Sequence, residues 1–232
     1  MLCRSLLVVL LWPASSTLLA QTEWEVRPVV EGLRIDGHLE DWQGVPVLEL
    51  SPSSAPRSTE NFGKDDLDLK VRLLWDKDSL YVALEWQDDI RDIKEVRRQD
   101  AIFVTSDGTR RDRMYFYDNL KFSIRQSDYD FTLWLSPRYA GDGPHTWQRL
   151  LQGYRGMEAA VSAPLITARE NGQTVTMELR FQWDQLRLKG KKNKTYPLTL
   201  IVADSDLPGQ LLEYKAGRPK WLMWQGTLRL VE

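Results

Sequence analysis

Cysteine is almost missing from this chain: its 232 residues hold one, Cys3, inside an N-terminal stretch that reads as removable. Once that stretch is gone, neither a disulfide nor a thiolate nucleophile nor a cysteine-based zinc site can be built. Histidine is scarce too, with His38 and His145 as the two copies. Zinc centres and nucleophile-base pairs therefore have few members to draw on. Helical periodicity is nearly absent, and after Gln21 no apolar run is long enough to span a bilayer. An excess of one charge sign is also missing: the formal net charge is -2, or -3 once Arg4 is lost. That balance favours neither a nucleic-acid surface nor an anionic membrane, so the expected partner is neutral.

What is present begins with an export signal. Arg4 supplies a short basic start, "LLVVLLW" (Leu6 to Trp12) is an uninterrupted apolar run, and small residues follow Pro13. Such a segment is too short to cross a bilayer, and cleavage falls after Ala20, with Ser16 and an uncleaved anchor as the other readings. No cysteine stands at the cleavage point, which argues against lipid anchoring. The expected partition is a signal peptide over 1–20 and one domain over 21–232, exported to a periplasmic or extracellular location with no membrane insertion afterwards. About 210 residues can stabilise themselves by core burial without disulfides.

The apolar pattern has a period of two. In "DLKVRLLW" Leu69, Val71 and Leu73 alternate with Asp68, Lys70 and Arg72; in "LYVALEW" Leu80, Val82 and Leu84 alternate with Tyr81, Ala83 and Glu85. "DKDS" between them is a tight polar turn, so the pair forms a hairpin. The same reading predicts strands at "VPVLEL", "NLKFSI", "DFTLWLS", "EAAVSAPLITARE", "TVTMELRF", "YPLTLIVA" and "GTLRLVE", with Asn171-Gly172 as another hairpin turn. Eight or more strands and hardly any helix predict an all-β, two-sheet antiparallel β-sandwich, jelly-roll-like in outline. Three long connections interrupt it, Ser51 to Asp66, Asp88 to Asp112 with a short helix at "IRDIKEVRRQ", and Pro137 to Gly156. Connections of that length in a compact sandwich are often functional.

Ten tryptophans are many for this length, so their placement matters. Trp42 closes "IDGHLEDW", where Asp36-Gly37 supplies a turn, and is expected to plug one end of the sandwich. In "FQWDQL" a strand ends at Phe181 and Trp183 tucks beneath it; Trp75 and Trp86, at the ends of the central hairpin, read as core.

The order "IDGHLEDW", "LLWDKDSLYVALEWQDD", "YDNLKFSI", "MELRFQWDQL", "VADSD" and "LMWQGTLRL" resembles the carbohydrate-binding module family 9-like domains, which are related to the DOMON β-sandwich superfamily. The resemblance covers nearly all of 21–232. It implies a jelly-roll-like sandwich that binds sugars without altering them. In the family module with a known sugar complex two tryptophans sandwich the ligand, and family 9 modules can bind calcium.

A sugar site needs flat aromatic faces for the apolar side of a pyranose and polar groups for its hydroxyls. Trp147, in the polar stretch "GDGPHTWQR", is the first choice of platform, with Tyr139, His145 and Tyr154 in the same connection; Trp221 and Tyr214 lie in an irregular segment before the last strand. Arg138, Asp142 and Gln148 are the candidates for hydroxyl contacts. Asp88, Asp89 and Asp92 after the hairpin, Asp118 at a strand entrance, and Asp204 and Asp206 in a turn read first as solvated turn carboxylates, with Asp118 also suited to accept a structural hydrogen bond; as hard oxygen ligands suited to calcium they are the candidate metal site. No motif singles out a catalytic carboxylate pair, so no enzymatic activity is expected. Two other classes stay open. One is a b-type haem domain ligated by Met114, Met157, Met177, Met223 or a histidine, although Met177 alternates with inward Val175 and Leu179. The other is a protein-interaction domain of the cell envelope with no sugar site.

Overall fold

The computed structural model describes residues 22–55, 57–58, 66–88, 102–104, 110–112, 119–125, 130–135, 139–140, 143–144, 165–204 and 220–232. The strands are β1 (Thr22–Pro28), β2 (Val47–Leu50), β3 (Arg57–Ser58), β4 (Leu67–Trp75), β5 (Ser79–Asp88), β6 (Ile102–Val104), β7 (Arg110–Asp112) and β8 (Asn119–Arg125). They continue with β9 (Asp130–Leu135), β10 (Tyr139–Ala140), β11 (Gly143–Pro144), β12 (Leu165–Asn171), β13 (Thr174–Gln182), β14 (Thr195–Asp204) and β15 (Lys220–Leu230). Among the described residues the one helical element is a 3-10 turn, Glu40–Trp42.

Eleven strands make one curled sheet in the order β12-β13-β5-β4-β1-β15-β14-β8-β9, with β2 added beside β4 and β3 beside β15. Two small ribbons, β6-β7 and β10-β11, stand apart. The fold is all-β as expected, but its two halves are joined. Thr22 to Val26 of β1 pair in parallel with Gly226 to Leu230, and Arg27 and Pro28 pair in parallel with Leu74 and Trp75. Thus β1 passes from one half to the other, and the purely antiparallel expectation is corrected to a pairing that is antiparallel except at β1, in a curled all-β arrangement consistent with a β-sandwich.

Alternation in the sequence becomes burial on the inner face. Leu67, Leu69, Val71 and Leu73 of β4 and Leu120, Phe122 and Ile124 of β8 are all buried in one core. The Phe181 ring of β13 stacks on Phe122 at 5.9 Å and meets Phe131 of β9 edge-on at 5.7 Å, although β13 and β9 are far apart in the sheet order. The sheet therefore curls until its halves face each other. Each such ring pair adds about 0.5–1.5 kcal/mol beyond the area it buries.

A second, smaller core explains why β4 ends "LLW" with both faces buried. Trp42 and Val45 cover Leu74 and Ala83 on the outer face, assisted by Val29, Leu33, Leu39 and Tyr81. Trp42 is buried as the sequence suggests, 1 % exposed, but it covers the outer face over Leu74 and Ala83 instead of plugging one end of the sandwich. Its motif is held to the sheet by Glu178, a buried carboxylate on β13. Glu178 accepts hydrogen bonds from the Trp42 indole (2.6 Å), from the Asp36 amide (2.9 Å) and from the Gly37 amide. Gly37 turns at φ +86, and a Cβ there would stand 2.7 Å from Arg169 Cγ. Glycine is thus required by backbone angle and by space.

Candidate functional site

The two ends of the curled sheet differ. One end is closed by short turns and tryptophans. In the "DKDS" turn the Asp76 carboxylate accepts the amides of Asp78 (2.7 Å) and Ser79 (2.6 Å) and the Tyr81 hydroxyl (2.7 Å). The Trp183 indole donates to the Asp76 carbonyl (2.7 Å), and that of Trp75 to the Val231 carbonyl (3.1 Å). Close by, the Tyr196 hydroxyl donates to the Lys189 carbonyl (2.6 Å), and burial raises its pKa. These indoles have their polar edges satisfied within the protein, which suits a structural plug.

At the other end the register gathers the ends of the long connections. Asp88, the last residue of β5, stands opposite Leu67, the first of β4. Asp204, the last of β14, stands opposite Lys220, the first of β15. Asn119 opens β8 opposite Ala203, and Leu135 closes β9 opposite Leu120. An ion pair of 2.6 Å between Lys220 and Asp66 ties the two sets together. The described strand ends Ser58, Asp88, Asn119, Leu135, Asp204 and Lys220 thus all lie at this end.

Polar side chains accumulate at this open end. Asp88, Asn119 and Asp204 are buried at 1 %, 4 % and 1 % exposure. Asp88 lies 3.4 Å from the Trp86 indole nitrogen, and Asp204 lies 3.8 Å from the Lys220 ammonium. Burial of a carboxylate requires such partners. Asp88 and Asp204 are therefore strand-end residues of the interior, which corrects their reading as solvated turn carboxylates. Asp89, Asp92, Asp118 and Asp206 lie outside the described residues.

Trp221 is the proposed sugar contact whose side chain is described. It belongs to β15, opposite Ala203, and is half-buried on the outer face beside Lys220. The expectation of an irregular segment before the last strand is corrected here: β15 begins at Lys220, six residues before the "GTLRLVE" run. Tyr139 lies in β10, opposite Pro144. Arg138, Asp142, His145, Trp147, Gln148, Tyr154 and Tyr214 lie outside the described residues, as does the helix expected at "IRDIKEVRRQ". Met177 is buried in the main core, as its alternation implies.

Sequence reasoning missed Lys220, Asp66, Asn119 and Glu178. The signal for Lys220 was available: extending the alternation Leu228, Gly226, Trp224, Leu222 backwards puts Lys220 on the inner face. No comparable pattern marks Asp66, because its partner is 154 residues away.

Solved structures share this architecture. A carbohydrate binding module of family 9 from Caldicellulosiruptor kristjanssonii, in complex with cellotriose, matches with a TM-score of 0.57 and 15 % identity, covering 90 % of this chain and 94 % of that one. The same organism's family 9 module in complex with glucose matches at 0.55 and 14 %, covering 89 % and 95 %. A candidate carbohydrate-binding protein from Bacteroides uniformis matches at 0.58 and 10 %, covering 91 % and 100 %. No protein-family model and no curated protein matches the sequence. The architecture is a β-sandwich-type fold. Within that class, the fold is that of the family 9 carbohydrate-binding modules. Among the described residues no helix is long and apolar enough to cross a membrane.

Proposed function

We propose that this chain is an exported, non-catalytic carbohydrate-binding protein that stacks a saccharide on aromatic side chains at the open end of a jelly-roll-like sandwich. The observation that carries this reading is the convergence of the long connections on one end, in a fold shared with modules in complex with cellotriose and glucose. Trp221 stands at that end, half-buried beside Lys220; Trp147 belongs to the connection between β11 and β12, which enters β12 at Leu165, opposite Arg180. An indole ring offers the flat apolar face that a pyranose needs.

The test is a glycan array of the exported form, followed by calorimetric titration of the best ligand into variants. Trp147→Ala and Trp221→Ala are each expected to weaken binding at least about tenfold, equivalent to roughly 1.4 kcal/mol. Trp42→Ala, where it folds, is expected to leave affinity nearly unchanged, since Trp42 is buried in the smaller core. Unchanged affinity in both Trp147→Ala and Trp221→Ala, or an array without any saccharide signal, would overturn the assignment.

A further inference from the structure

The resemblance to family 9 modules implies calcium, and the open end carries aspartates on which a calcium site would draw. The donor set among the described residues does not fit that ion. Among the described residues, no three His, Cys, Asp or Glu side chains come together as a ligand group. Two of the aspartates instead face a cation that the chain itself supplies. Lys220 Nζ lies 2.6 Å from Asp66 Oδ2 and 3.8 Å from Asp204 Oδ2. Calcium takes roughly six to eight oxygen ligands at about 2.3–2.6 Å. An ion bonded to these same carboxylates would stand within a few ångströms of the ammonium, where like charges repel strongly in a water-poor interior.

We propose that Lys220 is the resident cation between Asp66, before β4, and Asp204, at the end of β14, joining the two without a divalent ion. The geometry gives this role its physical basis. Asp204 and Lys220 are cross-strand neighbours, and the period of two puts both on the inner face. The Asp204 side chain is 0 % exposed, that of Asp66 15 % and that of Lys220 23 %. A carboxylate so buried needs a counter-charge, and an ammonium on an adjacent strand provides one that cannot dissociate. Lys220 and Asp66 are 154 residues apart, so their contact also fixes how the segments before β4 and β15 meet. The inference stands apart from the saccharide reading, since it concerns stability and metal response alone.

Thermal unfolding of the full exported chain tests it, in excess EDTA and in millimolar calcium chloride. The midpoint is expected to agree within about 1 °C between the two. An ion bound at a hundredfold its dissociation constant would raise the midpoint of a domain this size by roughly 5–10 °C. In parallel, Lys220→Met is expected to lower the midpoint, and adding Asp204→Asn to it is expected to recover part of the loss. Simple loss of packing at Lys220 would leave the double variant no more stable than the single one. A calcium-dependent rise of about 3 °C or more in the wild-type protein, or no recovery in the double variant, would overturn the proposal. Should Lys220→Met fail to fold, the wild-type calcium comparison decides alone.

Discussion

Glu178→Ala is expected to destabilise the domain by about 3–5 kcal/mol, because it removes the acceptor of three N–H groups in one step. The Trp42 indole and the Asp36 and Gly37 amides all donate to this carboxylate. Left unpaired, they would lift "IDGHLEDW" from the outer face and expose Leu74 and Ala83. Chemical denaturation measures the loss directly. Glu178→Gln is the sharper control. Asp36 and Gly37 use one carboxylate oxygen and Trp42 the other, so an amide must turn its NH2 toward a donor, at a cost of about 1–3 kcal/mol.

The same residue makes stability depend on pH. Burial raises the Glu178 pKa above its ordinary 4.5, outweighing the opposing hydrogen bonds from Trp42, Gly37 and Asp36. The folded protein therefore holds this proton more tightly than the unfolded chain does. Its stabilising contribution is complete below the unfolded value and declines as pH rises through the folded one. Glutamine cannot titrate, so the stability of wild type relative to Glu178→Gln is expected to fall as pH increases across that interval. A difference that stays flat, or that grows, would mean that the N–H donors prevail over desolvation.

The second large effect is expected at the closed end. Gly190→Ala would put a Cβ inside contact distance of the Trp183 indole nitrogen and 2.6 Å from the Asp76 carbonyl oxygen. The obstruction is partly backbone, so it cannot rotate away. It would also push Trp183 off its hydrogen bond to that carbonyl. Overpacking and the lost bond together amount to about 2–4 kcal/mol. Denaturation midpoints together with near-ultraviolet dichroism of the tryptophans would record it. An unchanged midpoint would mean that the plug is loose, and the contrast between the two ends would lose its force.

How much of this was legible in the residues depends on the range of the interaction. The central hairpin, the Asp36-Gly37 turn and the core placement of Trp42, Trp86, Trp183 and Met177 follow from neighbours in sequence. A period of two or a turn dipeptide is enough to assign them. The start of β15 was misplaced because the alternation Leu228, Gly226, Trp224, Leu222 has to be extended backwards past the apolar run to reach Lys220. Pairing of Lys220 with Asp204 and of Trp221 with Ala203 extends the strand over them. Likewise β1 was not foreseen: its strand character rests on parallel partners near position 75 and at 226–230, too distant for local pattern to reveal.

By itself the sequence determined the class of structure, because alternation dictates which side chains can share a buried face, and the order of its motifs pointed to the family 9 fold. It also determined that thiol chemistry is absent beyond Cys3. Only the tertiary structure decided which end is closed and which gathers the long connections. It likewise decided that Asp88 and Asp204 are interior, that Glu178 clasps the Trp42 motif, and that Lys220 meets Asp66. Those facts depend on register and sheet curl, which bring together residues more than a hundred positions apart. No local period encodes such distances, and hydrogen bonding between strands does.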